Sequence, residues 1–260
     1  MPAIGIRGLS ETRTYSHSDS GFRFRLHGPS FGFAAQTEPL LAPYDLSVAG
    51  GEWIALLGPS GIGKSSLLRA MAGLLPGHKG SGNLADIAWM AQSDLLLPWL
   101  SLLDNVLLGA RLRGEKPDRA SALMLLERCG LLAAKDMLPA QLSGGMRQRA
   151  ALARTFMENR PLVLMDEPFT ALDPVRRGDL HALAADLLRD RAVIFVTHDP
   201  LEALALADRI YVLADRPARL DLLASPQGAR PRDPLDAAWL PDLRYIQGRI
   251  QAALRQAAKP

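Results

Sequence analysis

The sequence predicts an α/β protein. It should hold a mostly parallel sheet clad in helices, an antiparallel β part at its N-terminal end and an inserted helical subdomain. Three observations carry that reading. The apolar run Trp53-Ile54-Ala55-Leu56-Leu57 ends at a glycine-rich loop and opens into the helical pattern "LLRAMAGLL". "LVLMD" (162–166) and "AVIFVT" (192–197) are continuous apolar runs that end in polar residues, as parallel strands covered on both faces do. From 93 to about 158 the chain is rich in Leu, Ala and Arg at helical spacing, with no strand signal.

The elements follow in order. Residues 1–20 are polar after the first few, lack an apolar leader core and are expected to form a flexible extension. "FRFRL" (22–26) alternates apolar and basic, as a half-exposed strand does, and "YDLSVAGGEWIALLG" reads as strand, Gly-Gly turn and buried strand. Leu67, Leu68, Met71 and Leu75 recur at helical spacing after the loop, which places the 61–65 backbone at a helix N-terminus. The main domain is expected over 21–225. A Pro-rich linker and a final amphipathic helix, with Leu243, Ile246, Ile250 and Leu254 on one face, fill 226–260.

Composition narrows the function. Hydrophobic residues make up 48%, enough for a sizeable core, and 30 basic against 27 acidic residues leave +3 with no basic block. Nucleic acid is therefore not an expected partner. The lone Cys129 in "LLERCGLL" reads as a small core residue. The richest apolar stretch, 94–114, is broken by Pro98, Ser101, Asp104 and Asn105, too interrupted for a membrane span.

The chemistry starts at "GPSGIGKSS", that is Gly58, Pro59, Ser60, Gly61, Ile62, Gly63, Lys64, Ser65 and Ser66. It fits G-x-x-x-x-G-K-[ST], whose glycines let backbone N–H groups converge on phosphate oxygens at a helix N-terminus. Lys64 should reach the β- and γ-phosphates and Ser65 should ligate Mg²⁺, which makes the fold class a P-loop NTPase. A plain glycine turn before a helix is the bland alternative; Ser60 as a nucleophile fails because "GPSGI" does not supply G-x-S-x-G. In "LVLMDEP", Asp166 can hold the Mg²⁺ hydration shell and Glu167 can polarise an attacking water, a role worth about 10²–10⁴-fold. Two turn-favouring acids at a helix start are the competing explanation of that pair.

"QLSGGMRQRAALAR" (141–154) decides between the many machines that share such a loop. Ser143, Gly144 and Gly145 precede a helix and form a second anion-binding N-terminus, which one phosphate needs only if another subunit supplies it. The stretch resembles the LSGGxxQR signature of the ATP-binding cassette family, and the resemblance covers roughly 22–218. It implies a homodimer in which ATP lies between the phosphate loop of one chain and the signature of the other. It further implies that Gln92 in "IAWMAQSD" senses Mg²⁺ and water, that Asp173 in "FTALD" crosses the dimer interface and that His198 in "FVTHDP" contacts the γ-phosphate. Phe33 resembles the aromatic that stacks on adenine, with Phe31 as a competing choice. One departure is visible: Lys64 to Gln92 spans only 28 residues (92 − 64), so "PGHKGSGNLADI" looks like a trimmed β-hairpin region.

"LLLPWLSLLDNVLLG", "LSGGMRQR" and "VTHDPLEALALADRIYVLADRPARL" look like the importers of nitrate, taurine and other sulfonates, and pyrimidine thiamine precursors. That group implies separate integral membrane permease subunits, an indirect link to a periplasmic or extracellular solute-binding protein and a peripheral place on the cytoplasmic face of the inner membrane. Leu95, Leu96, Leu97, Pro98 and Trp99 sit where the family docks its membrane partners, though packing of the helical subdomain accounts for much of that run. The rivals are an exporter ATPase and a non-transport clamp in DNA repair or translation. The second fits poorly, because Gln92 to Ser143 is 51 residues (143 − 92), with no room for a long coiled coil, and only one cassette is present.

Overall fold

The structure, a computed structural model, describes residues 22–32, 39–75, 84–170, 174–234 and 236–257. The proposed extension 1–20, the adenine-stacking candidate Phe33, the interface candidate Asp173 and most of the trimmed hairpin region lie outside the described residues.

β1 (Arg23–Gly28) and β2 (Tyr44–Ala49) pair antiparallel as a separate two-stranded sheet. The main sheet holds β3 (Trp53–Leu57), β4 (Ile87–Met90), β5 (Leu162–Asp166), β6 (Ala192–Val196), β7 (Arg209–Ala214) and β8 (Arg219–Ala224) in the order β4-β5-β6-β3-β7-β8. All neighbours are parallel except β7 and β8. The three core runs singled out in the sequence are thus β3, β5 and β6. The sequence did not single out β4, β7 or β8: β4 has four residues, and β8 is an edge strand with no buried position, so neither shows a long apolar run.

Strand alternation sorts the core into two layers. Trp53, Ala55, Leu57, Val163, Met165, Val193 and Phe195 face one side of the sheet, while Ile54, Leu56, Leu162, Leu164, Ile194 and Val196 face the other. The second side is covered by α1 (Lys64–Met71) through Leu67, Leu68 and Met71, and by Phe24, Leu26, Leu46 and Val48 of the small sheet. The first side takes α2 (Leu102–Val106), α4 (Arg119–Arg128), α5 (Gly144–Met157), α6 (Pro174–Leu187), α7 (Pro200–Leu206) and α8 (Leu240–Ala257). Between β4 and β5 the chain forms α2, α3 (Leu108–Leu112), α4 and α5 and no strand, as the helical periodicity of that region predicts. Cys129 is buried in this layer, and burial pushes its thiol up to about 11. No helix among the described residues is long and apolar enough to cross a membrane.

The C-terminal segment is stitched to the core by arginines. Buried Arg232 donates to the carbonyls of Leu204 (3.3 Å) and Ala207 (2.9 Å) at the end of α7, and Arg230 lies over the Trp53 ring at 5.2 Å. On α8, Ile246 and Ala253 are buried, whereas Leu254, assigned to the apolar face from the sequence, is 49% exposed. The buried stripe turns aside by one position at the helix end, where Ala253 meets Val212 and Ala214 of β7.

The 94–101 segment is held from both ends. Fully buried Asn105 accepts from Leu97 N (2.7 Å) and donates to the carbonyls of Leu97 (3.1 Å), Leu100 (3.1 Å) and Ser101 (3.0 Å). Arg154 of α5 donates to the carbonyls of Asp94 (2.6 Å) and Leu95 (2.8 Å), and Arg147 bonds the Asp94 carboxylate at 3.0 Å. Leu95 is thereby held at φ 48, exposed, with exposed Trp99 beside it in sequence. Because Asn105 satisfies both donors and acceptors of this turn, Asn105→Ala should cost about 1–3 kcal/mol of stability in chemical denaturation. An unchanged denaturation midpoint would contradict that role.

Candidate functional site

Register sets the geometry of the site. Met90 pairs with Met165, Asp166 with Val196, and Leu56 also with Val196, so the four parallel strands end level with one another. The residues that follow them, Gln92, Glu167, His198 and the 58–66 loop, therefore leave the sheet from one edge, the edge at which open α/β sheets take ligands.

The loop after β3 needs its glycines for two reasons. At Gly58, φ is +150, and a Cβ would stand 2.8 Å from the carbonyl oxygen of Leu213. Gly63 caps α1 in a left-handed conformation, φ 107, where a side chain is strained. Lys64 is 7% exposed, and its ammonium donates to the carbonyls of Gly58 (2.8 Å) and Pro59 (2.9 Å). Burial holds its pKa below the ordinary lysine value, against the pull of the Glu167 and Asp166 charges.

Ser65 Oγ donates to Asp166 Oδ1 at 3.0 Å. Asp166 is 1% exposed, and its Oδ2 is buried with no hydrogen-bond partner. A buried, unpartnered carboxylate oxygen next to a hydroxyl is a donor set that suits a hard divalent cation. Burial raises the Asp166 pKa above the usual carboxylate range, and the Ser65 hydrogen bond opposes it.

Glu167 is the meeting point. Its N–H donates to Val196 O (3.0 Å), which pins it to the neighbouring strand, and its φ is 51. A non-glycine residue in the left-handed region carries about 1–3 kcal/mol of strain, the kind of cost found at functional positions. The carboxylate accepts from Gln92 Nε2 (3.4 Å) and Thr170 Oγ1 (3.3 Å) on Oε2, and His198 Nδ1 lies 3.5 Å from Oε1. The backbone carbonyl accepts from Gln148 Nε2 of α5 at 3.2 Å. The structure thus brings Gln92, Glu167 and His198 together beside Ser65 and Asp166.

Ser143 caps α5 by accepting from Met146 N at 3.3 Å, and Ser143 and Gly144 are exposed. Phe31 exchanges backbone hydrogen bonds with Leu41 (3.0 and 2.9 Å) and is partly buried against the core, while Phe33 and Asp173 lie outside the described residues. Two contributors, Gln148 and Thr170, were not assigned roles from the sequence. Gln148 is the glutamine of "MRQR" and so was within reach of the signature motif; Thr170 had no signal beyond its place three residues after Glu167.

Residues 41–170 match the family described as ABC transporter. An uncharacterized ABC transporter ATP-binding protein of Haemophilus influenzae is 43% identical over 219 residues, covering 80% of this chain and 90% of the relative. The chain belongs to the ABC transporter family. It binds ATP and is an ATPase, with the P-loop NTPase fold. Among its relatives, the aliphatic sulfonates import ATP-binding protein SsuB 2 of Burkholderia lata is 43% identical over 228 residues, 84% of this chain and 81% of that protein. A solved dimeric ATP-binding cassette in a post-hydrolysis state, bound to ADP and Pi, superposes with a TM-score of 0.66 at 28% identity, covering 77% of this chain and 99% of that one.

The raised Asp166 pKa has a consequence for stability. An acid whose folded pKa lies above its unfolded one loses stability as pH rises from the ordinary carboxylate value through the folded one. Above the ordinary carboxylate value, and so near neutral pH, the buried Asp166 therefore disfavours the nucleotide-free fold. Asp166→Asn should melt at a higher temperature than wild type near pH 7, with the gap narrowing toward pH 4, and should lose ATP turnover. Thermal scans across pH check the sign; a variant less stable than wild type at pH 7 would contradict it.

Proposed function

We propose that this ATPase energises uptake of a small sulfonate-type solute through separate membrane permease subunits. The convergence of Gln92, His198 and Thr170 on the Glu167 carboxylate supports the hydrolytic part of that reading. The import part rests on relatives named for aliphatic sulfonate import, 41–45% identical over 74–88% of this chain. Nitrate, taurine and hydroxymethylpyrimidine-type thiamine precursors, the other solutes of the importer group that the sequence resembles, are the alternatives. Such a subunit would sit on the cytoplasmic face of the membrane and meet a solute-binding protein only indirectly.

In the proposed mechanism the 58–66 backbone cradles the phosphates, and the Lys64 ammonium turns from the Gly58 and Pro59 carbonyls to the β- and γ-phosphates. Ser65, Asp166 and Gln92 would hold Mg²⁺, which would neutralise charge on the phosphate oxygens. Glu167 accepts the proton of the attacking water as that water's oxygen bonds the γ-phosphorus and the bond from the γ-phosphorus to the β,γ-bridging oxygen breaks, so that ADP leaves and inorganic phosphate remains. Gln92 and Thr170 hold the carboxylate in place, and His198 donates to the γ-phosphate. Ser143, Gly144 and Gly145 of a second copy close the site over the nucleotide, with Asp173 at the interface and Phe33 or Phe31 against the adenine. The exposed helix N-terminus at Ser143 suits that use, since the positive end of a helix favours an anion.

Two measurements test this. Glu167→Gln should keep ATP affinity and lower the turnover number by about 10²–10⁴-fold; wild-type turnover would refute the general-base role. Cells lacking the chain should fail to take up one of labelled taurine, alkanesulfonate, nitrate or hydroxymethylpyrimidine, with uptake restored by wild type and not by Glu167→Gln. Normal uptake of all four in the deletion strain would count against the importer reading.

A further inference from the structure

α6 begins shortly after the loop that carries Glu167 and Thr170, and α7 begins two residues after His198. Between these helices lies a buried polar set that the reaction described above does not use. Glu202 of α7 is 4% exposed and His181 of α6 is 7% exposed. The Thr197 hydroxyl donates to Glu202 Oε2 and accepts from Asp199 N at 3.1 Å. Thr197 and Asp199 flank His198, so one hydroxyl, anchored by one carboxylate, fixes the backbone on both sides of that histidine. α6 reaches the same turn a second time, where Arg177 Nη1 bonds Asp199 Oδ2 at 3.1 Å.

His181 is the other end of this set. Its ring meets Phe169 edge-on, with centroids 4.7 Å apart and planes at 75°. Phe169 is itself buried and follows Glu167 by two residues. His181 Nε2 lies 3.8 Å from Glu202 Oε1, and both atoms are buried without a hydrogen-bond partner. The orphaned His181 Nε2 costs free energy that a phenylalanine in its place would avoid, although Glu202 Oε1 would stay unpartnered. Yet the two orphans face each other, and a shift of roughly 0.5–1 Å would bring them to hydrogen-bond distance.

We propose that His181 is a positioning residue for His198, acting through Glu202 and Thr197. It sits between the segment that bears Glu167 and the turn that bears His198. When its N–H closes on Glu202, the carboxylate is held against Thr197, and the His198 turn is fixed relative to Glu167. The proposal rests on the reading that Glu167 and His198 act on the γ-phosphate.

Steady-state ATP hydrolysis by the full-length chain tests it, with a melting temperature taken for each variant. His181→Phe keeps the ring against Phe169 and removes the N–H. It should lower kcat by about tenfold or more with KM for ATP unchanged, the scale of a misplaced catalytic group. His181→Gln, whose amide N–H can reach the carboxylate, should keep most of the rate. A packing role would reverse that order, so a wild-type kcat in His181→Phe, or a Gln variant as impaired as the Phe variant, overturns the proposal. If His181→Phe does not fold, Glu202→Gln carries the test: it keeps the side-chain volume and should lower kcat at constant KM, and a wild-type kcat overturns the proposal. His198→Ala separates the two layers of the argument. A wild-type rate there refutes the underlying reading of the site, whereas a low rate there with a wild-type His181→Phe refutes only the role of His181.

Discussion

Four parallel strands that end in register are the constraint on which everything else depends. Because β4, β5, β6 and β3 run the same way and pair level with one another, the residues just past their ends must emerge at one edge. Gln92, Glu167, His198 and the phosphate loop are far apart in the chain and owe their proximity to that pairing. The strands hold because both faces are buried: alternate side chains feed two separate apolar layers, one under α1 and the small sheet, the other under the remaining helices. A slip by one residue would exchange those layers and carry the site residues with it.

The edge so formed is electrostatically poor for the free protein. A buried lysine is held below its usual pKa and a buried aspartate above it, and one carboxylate oxygen has no partner. Glu167 adds a left-handed backbone. In the proposed mechanism these costs are met by charges that arrive with a ligand, phosphate for Lys64 and a cation for Asp166.

The sequence was legible where a local pattern and a chemical need coincide. "GPSGIGKSS" after a buried run could be placed on a strand–loop–helix because its glycines, lysine and serine each have a backbone or phosphate reason to be there. β3, β5 and β6 were legible because fully buried strands read as unbroken apolar runs. β4 and β8 were not: a four-residue strand and an exposed edge strand take their structure from neighbours distant in sequence, such as Leu162–Asp166 for β4. Leu254 misled for a related reason, since helical spacing names a face but not where the partner surface stops. Of the site, Asp166, Glu167 and Ser65 were visible as motif positions. The hydrogen bonds of Gln148 to the Glu167 carbonyl and of Thr170 to its carboxylate depend on how α5 and the post-β5 loop pack.

In the proposed mechanism one chain is insufficient: the phosphate loop of one copy works with Ser143, Gly144 and Gly145 of another. Mixing two inactive forms tests this most directly. Lys64→Ala disables the loop and leaves the signature intact, while Ser143→Arg blocks the signature and leaves the loop intact. Each alone should be inactive, and an equimolar mixture should regain ATP hydrolysis, because a mixed dimer holds one complete site. A mixture as inactive as its parts, under conditions where the two chains are shown to associate, would contradict the shared site.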